Sequence, residues 1–301
     1  MYNIFDYSEI FNDSKVEGLG SGRFTSFKTI DDADVNSISW INPHRKDKYD
    51  LFDSTKAGIV ICPIDNLFKP SQEQLLIKSI NPKLIFVKLM NEHLKIIQKS
   101  FISPNSTINP KAVIGKNVSI GDNCFIGECI IAENTIIKTN VYIGDQVEIG
   151  KNGFIQSGTV IGSEGFGYVK DEKGISVKFP HLGGVKIGDN VDIGANVCID
   201  RGTLSNTTIQ NDVKIDNLVH ISHNSFIKNN SSILPMVVIC GSCIVGENSW
   251  ISPGSIIRDT ITVGDNSIIG MGSVVTKHVP DNQIWMGNPA RFLKKNDTVI
   301  N

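Results

Sequence analysis

In the stretch KIDNLVHISHNSFI two histidines, His220 and His223, flank the aliphatic Ile221. An imidazole titrates near pH 6.5, which suits a general base that takes a proton from an attacking amine or hydroxyl. If Ile221 points inward on a strand, His220 faces outward and His223 falls at the following corner. Eighteen residues beyond His223 stands Gly241. A glycine in register with a base leaves an accessible N–H for a developing oxyanion, although it could equally be a plain corner glycine beside a solvated histidine. Asp216 and Asn217, a few residues upstream, could orient the imidazole or simply form a turn. Zinc is the competing use of histidine. It needs three converging imidazoles, and His44, His93, His181 and His278 lie far from the pair in sequence, so no metal site is expected.

The elements that must position these residues follow from a six-residue rhythm. From Ile108 to Val275 an aliphatic recurs at nearly every sixth position, without a break in Ile209, Ile215, Ile221, Ile227, Ile233, Ile239, Val245, Ile251, Ile257, Val263, Ile269 and Val275. A helix repeats at 3.6 residues and a strand at 2, so this period predicts short strands joined by tight turns, three to each 18-residue coil. Such coils stack by parallel pairing at roughly 4.8 Å. Segments such as VIGKNVSIGDNCFIG supply the Gly, Asn and Asp that tolerate positive φ at corners. About eight coils are expected, enough for a continuous core. The rhythm breaks at residues 162–186 and again at 200–208, both just before the histidine pair. Loops that leave a strict repeat are the first place to look for the walls of a site.

Residues 1–103 lack the rhythm and read as a small α/β domain, with β-rich runs AGIVICPI and PKLIFVKL and a helix around SQEQLLIKSI capped by Ser71. Within it, SWINPHRKDKYDLF gathers Trp40, Asn42, His44, Arg45, Lys46, Lys48 and Tyr49. Aromatic rings can stack on a flat base and clustered cations suit diphosphate oxygens, or the segment is a surface turn anchored by its tryptophan. The chain thus divides into 1–103, a solenoid over 104–278 and an extension over 279–301 that leaves the prism. Net charge is −2, and residues 1–103 carry 13 basic against 13 acidic side chains, so a nucleic-acid partner is not expected. The start MYNIFDYSEIF shows no basic leader, and no 18-residue apolar run occurs, so neither secretion nor a membrane span is expected. Six cysteines, several within the repeat, read as small hydrophobes and reduced thiols of a cytoplasmic protein.

Taken together, GFGY at residues 165–168, FPHLGGVKIGDNVDIGANVCIDRGTLSNTTI, KIDNLVHISHN and the SWINP segment resemble the UDP-3-O-acylglucosamine N-acyltransferase family. The resemblance implies a mainly β fold, a left-handed parallel β-helix with a small N-terminal α/β domain, acting as a homotrimer. It implies His223 as catalytic base, Asp216 as its acidic partner and Gly241 as the oxyanion amide. Trp40, Asn42 and Tyr49 would hold the nucleotide, and Phe166, Tyr168, Asn217 and His220 would line the sugar and acyl channel. Three departures stand out: the family's second histidine aligns with Thr260, the usual C-terminal helices are missing, and the GMGSVVTKHVPDNQIWMGNPARFLKK ending resembles coenzyme A-using hexapeptide acetyltransferases. In those enzymes the positions of Gly287, Asn288, Pro289, Ala290 and Arg291 approach the cofactor. The expectation is therefore an N-acyltransferase on a UDP-linked, or less readily dTDP-linked, amino sugar for surface glycan or O-antigen synthesis. Its donor would be a short acyl-CoA such as acetyl-CoA, with no permanently bound cofactor. The alternatives are the lipid A enzyme itself with an acyl carrier protein donor, and a non-catalytic solenoid scaffold.

Overall fold

Strands only two or three residues long become stable when each is hydrogen-bonded to equivalents in the coils before and after it. The computed structural model describes residues 1–97 and 100–297 and divides the chain into two units, Met1–Lys99 and Ser100–Asn301. In the second unit the pairs follow the expected ladder: Ile199 beside Ile221, Ile221 beside Ile239, Ile239 beside Ile257, all parallel. Three sheets of ten, nine and eight strands form the faces of a prism. All twelve aliphatics from Ile209 to Val275 are buried in one continuous core.

The corners use the left-handed backbone region, mostly at asparagine, as at Asn190, Asn224, Asn230 and Asn248. Asparagine tolerates that region because its short amide can bond locally. Leu218, Met236 and Thr260 occupy the same corner conformation without that advantage. Buried hydroxyls are satisfied by backbone carbonyls, as where Ser231 Oγ donates to the Gly246 carbonyl at 2.7 Å and Ser249 Oγ to that of Gly264 at 2.7 Å.

Beyond Val275 the structure corrects the expectation that the chain leaves the prism. Val279 bridges to Val263, Gln283–Met286 pairs parallel with Ile268–Ile269, and Arg291–Lys295 folds back antiparallel on it. Residues 283–295 therefore close the ten-stranded sheet as a hairpin.

The first unit holds a five-stranded sheet in the order Lys15–Gly18, Leu75–Ser79, Ile59–Pro63, Ser37–Trp40, Ser26–Phe27. The last four are parallel and the first is antiparallel. Here two assignments exchange places. The expected helix over SQEQLLIKSI is the fully buried strand Leu75–Ser79, because a short apolar run covered on both faces fits a central parallel strand. The expected strand PKLIFVKL opens the helix Pro82–Ile97. Asn81 Oδ1 accepts from the Leu84 N–H at 3.1 Å, Pro82 follows it, and Ile85 and Leu89 bury one stripe. Among the described residues no helix is long and apolar enough to cross a membrane.

Candidate functional site

The first break in the rhythm is an arm. It leaves the strand Val160–Ser163, forms a hairpin of Tyr168–Lys170 against Ser176–Lys178, and returns to the prism at Val185–Ile187. Phe166 and Tyr168 meet with tilted rings, centroids 4.9 Å apart and planes at 57°. The arm also carries His181 onto His223, ring centroids 5.1 Å apart and nearly edge-on. Position in sequence gave no hint of that contact; only the return path of the arm creates it.

A pocket opens where the arm meets the corner column of the prism. Phe166, Asp200, His220, His223, Gly241, Asp259 and Thr260 are among the residues that line it. The 18-residue register holds: a Cβ added to Gly241 would fall 2.8 Å from His223 Cε1 and 2.9 Å from its Nε2. The ring thus lies against the bare face of the glycine. Among the described residues the Gly241 carbonyl accepts from the Thr260 N–H at 2.9 Å, while its own N–H has no partner.

The second break orients the imidazole. Asn224 Oδ1 accepts from the Thr203 N–H at 3.2 Å and from Thr203 Oγ1 at 2.9 Å, and its Nδ2 donates to Ser205 Oγ at 2.9 Å. The same Oδ1 lies 3.0 Å from His223 Nδ1. An amide oxygen can only accept, so in the neutral ring the proton sits on Nδ1 and Nε2 keeps its lone pair. That network assigns the nitrogen at Gly241 as the free base. Asn224, Thr203 and Ser205 were not among the residues singled out from sequence, although the extra residues at 200–208 marked the place.

Asp216 does not fill the expected role within one chain. It follows the strand Lys214–Ile215 of the ten-stranded sheet, whereas His223 follows His220–Ile221 of the nine-stranded sheet, so the two occupy different edges of the prism. Asp216 Oδ1 accepts from the Asn217 N–H at 2.7 Å, and Asn217 Oδ1 from the Ala195 N–H at 2.6 Å, a corner arrangement. The carboxylate near the histidines is Asp200, 7% exposed, with Ser163 Oγ at 3.4 Å and His220 Nε2 at 3.7 Å. Burial raises the Asp200 pKa above the usual carboxylate range, against the opposing pull of His220. Ser222 Oγ lies 3.0 Å from His220 Nε2, and both residues line the pocket.

In the first unit, Trp40 ends the strand Ser37–Trp40 and lies 6.4 Å from Phe86. Asn42 Oδ1 accepts from the His44 N–H at 3.0 Å. The Tyr49 hydroxyl donates to Asp65 Oδ2 at 2.6 Å, which holds the phenol pKa up, and Lys48 Nζ sits 5.2 Å over the Tyr49 ring. Arg45 is engaged by Asp47 through two bonds of 2.9 and 2.7 Å. Trp40 ends its parallel strand and Asp65 lies just past the carboxyl end of the next, the side on which open α/β sheets take ligands. Of the C-terminal residues, the Gly287 carbonyl accepts from the Val274 N–H at 3.0 Å and the Ala290 N–H donates to the Val274 carbonyl at 2.8 Å. Ala290 is 1% exposed and faces the core rather than a cofactor, a correction that follows from the hairpin. Gly287, Asn288 and Pro289 form the turn before it and Arg291 opens the returning strand; on the nine-stranded face, Val274 is three coils from His220, roughly 14 Å at the parallel-strand spacing.

Three family models match segments of the chain: the GMPPB C-terminal domain over residues 90–178, the hexapeptide repeat of succinyl-transferase over 181–202, and the bacterial transferase hexapeptide (six repeats) over 242–277. The UDP-3-O-acylglucosamine N-acyltransferase of Pseudomonas syringae pv. tomato is 45% identical over 75 residues, 25% of this chain and 21% of that protein. The chain thus aligns with about a fifth of that relative's length. Among solved structures, the UDP-N-acetylglucosamine acyltransferase of Bacteroides fragilis is 30% identical with a TM-score of 0.59, covering 65% of this chain and 75% of that one. The Francisella novicida enzyme of the same name is 25% identical with a TM-score of 0.60, covering 65% and 71%.

Proposed function

The chain belongs to the left-handed β-helix, hexapeptide-repeat acyltransferases, and from that premise we propose that it transfers an acyl group from a thioester to the amine of a UDP-linked amino sugar. One observation carries the reading: the His223 ring, with its Nε2 lone pair free, lies against Gly241 inside a pocket walled by the arm. The sugar nitrogen attacks the thioester carbonyl, and Nε2 takes the proton that the nitrogen loses. The Gly241 N–H holds the tetrahedral oxyanion. When the intermediate collapses, the C–S bond breaks and the departing thiolate receives the proton from His223. No covalent acyl-enzyme is required.

The names of the curated relatives favour a UDP-3-O-acylglucosamine type of N-acylation, and the first reading is therefore the lipid A reaction with acyl carrier protein as donor. Trp40 at the carboxyl end of a parallel strand, and Tyr49 in the helix Lys48–Ser54 that follows it, fit the base and ribose of UDP. A coenzyme A donor, and with it a role in another surface glycan, is the second reading. It is supported by Thr260 at the position where that family carries histidine. A passive scaffold would have no reason to gather three imidazoles and a buried carboxylate beside an unpartnered backbone N–H.

The test is one set of kinetics. His223→Ala is expected to lower kcat by about 10²- to 10⁴-fold with little change in sugar affinity, and unchanged turnover overturns the assignment. Competition between acyl carrier protein and coenzyme A thioesters of the same acyl group then separates the donors.

A further inference from the structure

The His181 side chain is 2% exposed, and neither Nδ1 nor Nε2 makes a hydrogen bond of full geometry among the described residues, the Phe179 backbone being the one polar group that acts on the ring at close range. A neutral imidazole brings one donor and one acceptor, and burying both unpaired destabilises the fold in a way that an aliphatic residue of similar size would not. Such a group needs another reason to be there. Its ring stands edge-on to His223, planes 67° apart. Gly165 permits that approach: a Cβ there would fall 3.0 Å from His181 Nε2, 3.1 Å from His223 Cδ2 and 3.2 Å from Asp200 Oδ2. Two imidazoles and a carboxylate therefore converge on one backbone position that carries no side chain.

We propose that His181 is a positioning residue for the catalytic imidazole, a neutral ring that clamps His223 over Gly241 and offers its unused lone pair to the charge that His223 acquires during transfer. The proposal rests on the reading of His223 as the base. A polar group left unsatisfied at rest and satisfied only as charge develops lowers the barrier, because its interaction is absent from the ground state. Burial first, then the neighbouring His223, hold the His181 pKa below its ordinary value, so His181 stays neutral while His223 takes the proton. The charged groups around the pair agree with a single proton. Asp200 lies beside both rings with His220 at 3.7 Å, Lys178 approaches His181 from the arm, and Asp259 lines the same pocket. One buried carboxylate serves three imidazoles, and two cationic rings this close would repel.

His181→Leu keeps the bulk and removes both nitrogens, and His181→Gln restores a polar group that cannot titrate. The leucine variant is expected to melt no lower than the parent while kcat falls about 10- to 100-fold at an unchanged sugar KM, with glutamine recovering part of the loss. Its Tm advantage should grow as pH falls. In the parent, His181 binds a proton more readily unfolded than folded, so stability declines as pH drops through the unfolded value near 6.5. Imidazole NMR titration reads the pair independently of turnover: His181 signals should move as His223 titrates, and the His223 midpoint should shift in the leucine variant. An unmoved midpoint with unchanged kcat, or a joint fall of Tm and kcat, overturns the proposal. If the parent acylates no UDP-linked amino sugar while the rings still titrate together, the functional reading fails and the coupled pair stands.

Discussion

A neutral imidazole has one lone pair to give, and at His223 the surrounding bonds decide which nitrogen holds it. Asn224 Oδ1 accepts a hydrogen bond from the Nδ1–H, its orientation fixed by Thr203 and Ser205, which leaves the Nε2 lone pair to the glycine side. That arrangement depends on residue 241 having no side chain. Gly241→Ala would place a methyl 2.8 Å from the ring, so the imidazole must move. A displacement of this size is expected to lower kcat by about 10²-fold while the thermal unfolding of the prism changes little. Wild-type kcat in the alanine variant would show that the ring is not held there for catalysis. The pairing of His223 with Gly241 was legible because both sit inside the unbroken rhythm. His181, Asp200 and Asn224 were not, since each is placed by a segment where the rhythm lapses and counting loses its meaning.

At the scale of elements, the prism's corners carry a ladder of amides. Asn230 Nδ2 donates to Asn248 Oδ1 at 2.7 Å, and Asn248 Nδ2 to Asn266 Oδ1 at 3.2 Å, with Asn248 at φ 54°. Asn248→Ala loses both bonds and keeps a Cβ in the left-handed region, a cost of about 2 kcal/mol. Asn248→Gly loses the bonds but relaxes the backbone, so the urea midpoint should fall less for glycine than for alanine. The reverse order would mean that corner strain is unimportant. In the first unit the same kind of local reading exchanged a strand and a helix. LLIKS and PKLIFVKL have similar apolar content, and what separates them is that Leu75–Ser79 is covered on both faces while Asn81 and Pro82 open a helix. Coverage is a property of neighbours, which a single segment does not display.

For the whole molecule, one chain supplies His223, Gly241 and the arm along a single edge, while Asp216 stands on another. A ring of three prisms would bring one edge of each copy to a different edge of the next, so an active site between copies accounts for both observations. Light scattering is expected to give a trimer. Mixing inactive His223→Ala with inactive Asp216→Asn protein should then restore part of the activity, because a mixed ring regains some intact sites. A fully active monomer would rule this out.

What the sequence alone determined is whatever repeats: the solenoid, its inward aliphatics, its asparagine corners, and the register that sets His223 against Gly241. Periodicity encodes these because every coil meets the same environment as the last. Tertiary structure decided what happens once. It decided that the arm folds back to press His181 on His223, that Asp200 rather than Asp216 shares that space, and that residues 283–295 close the sheet. Contacts between residues far apart in sequence leave no periodic trace, since they are set by the return path of a loop and by which atoms remain unpaired when it lands.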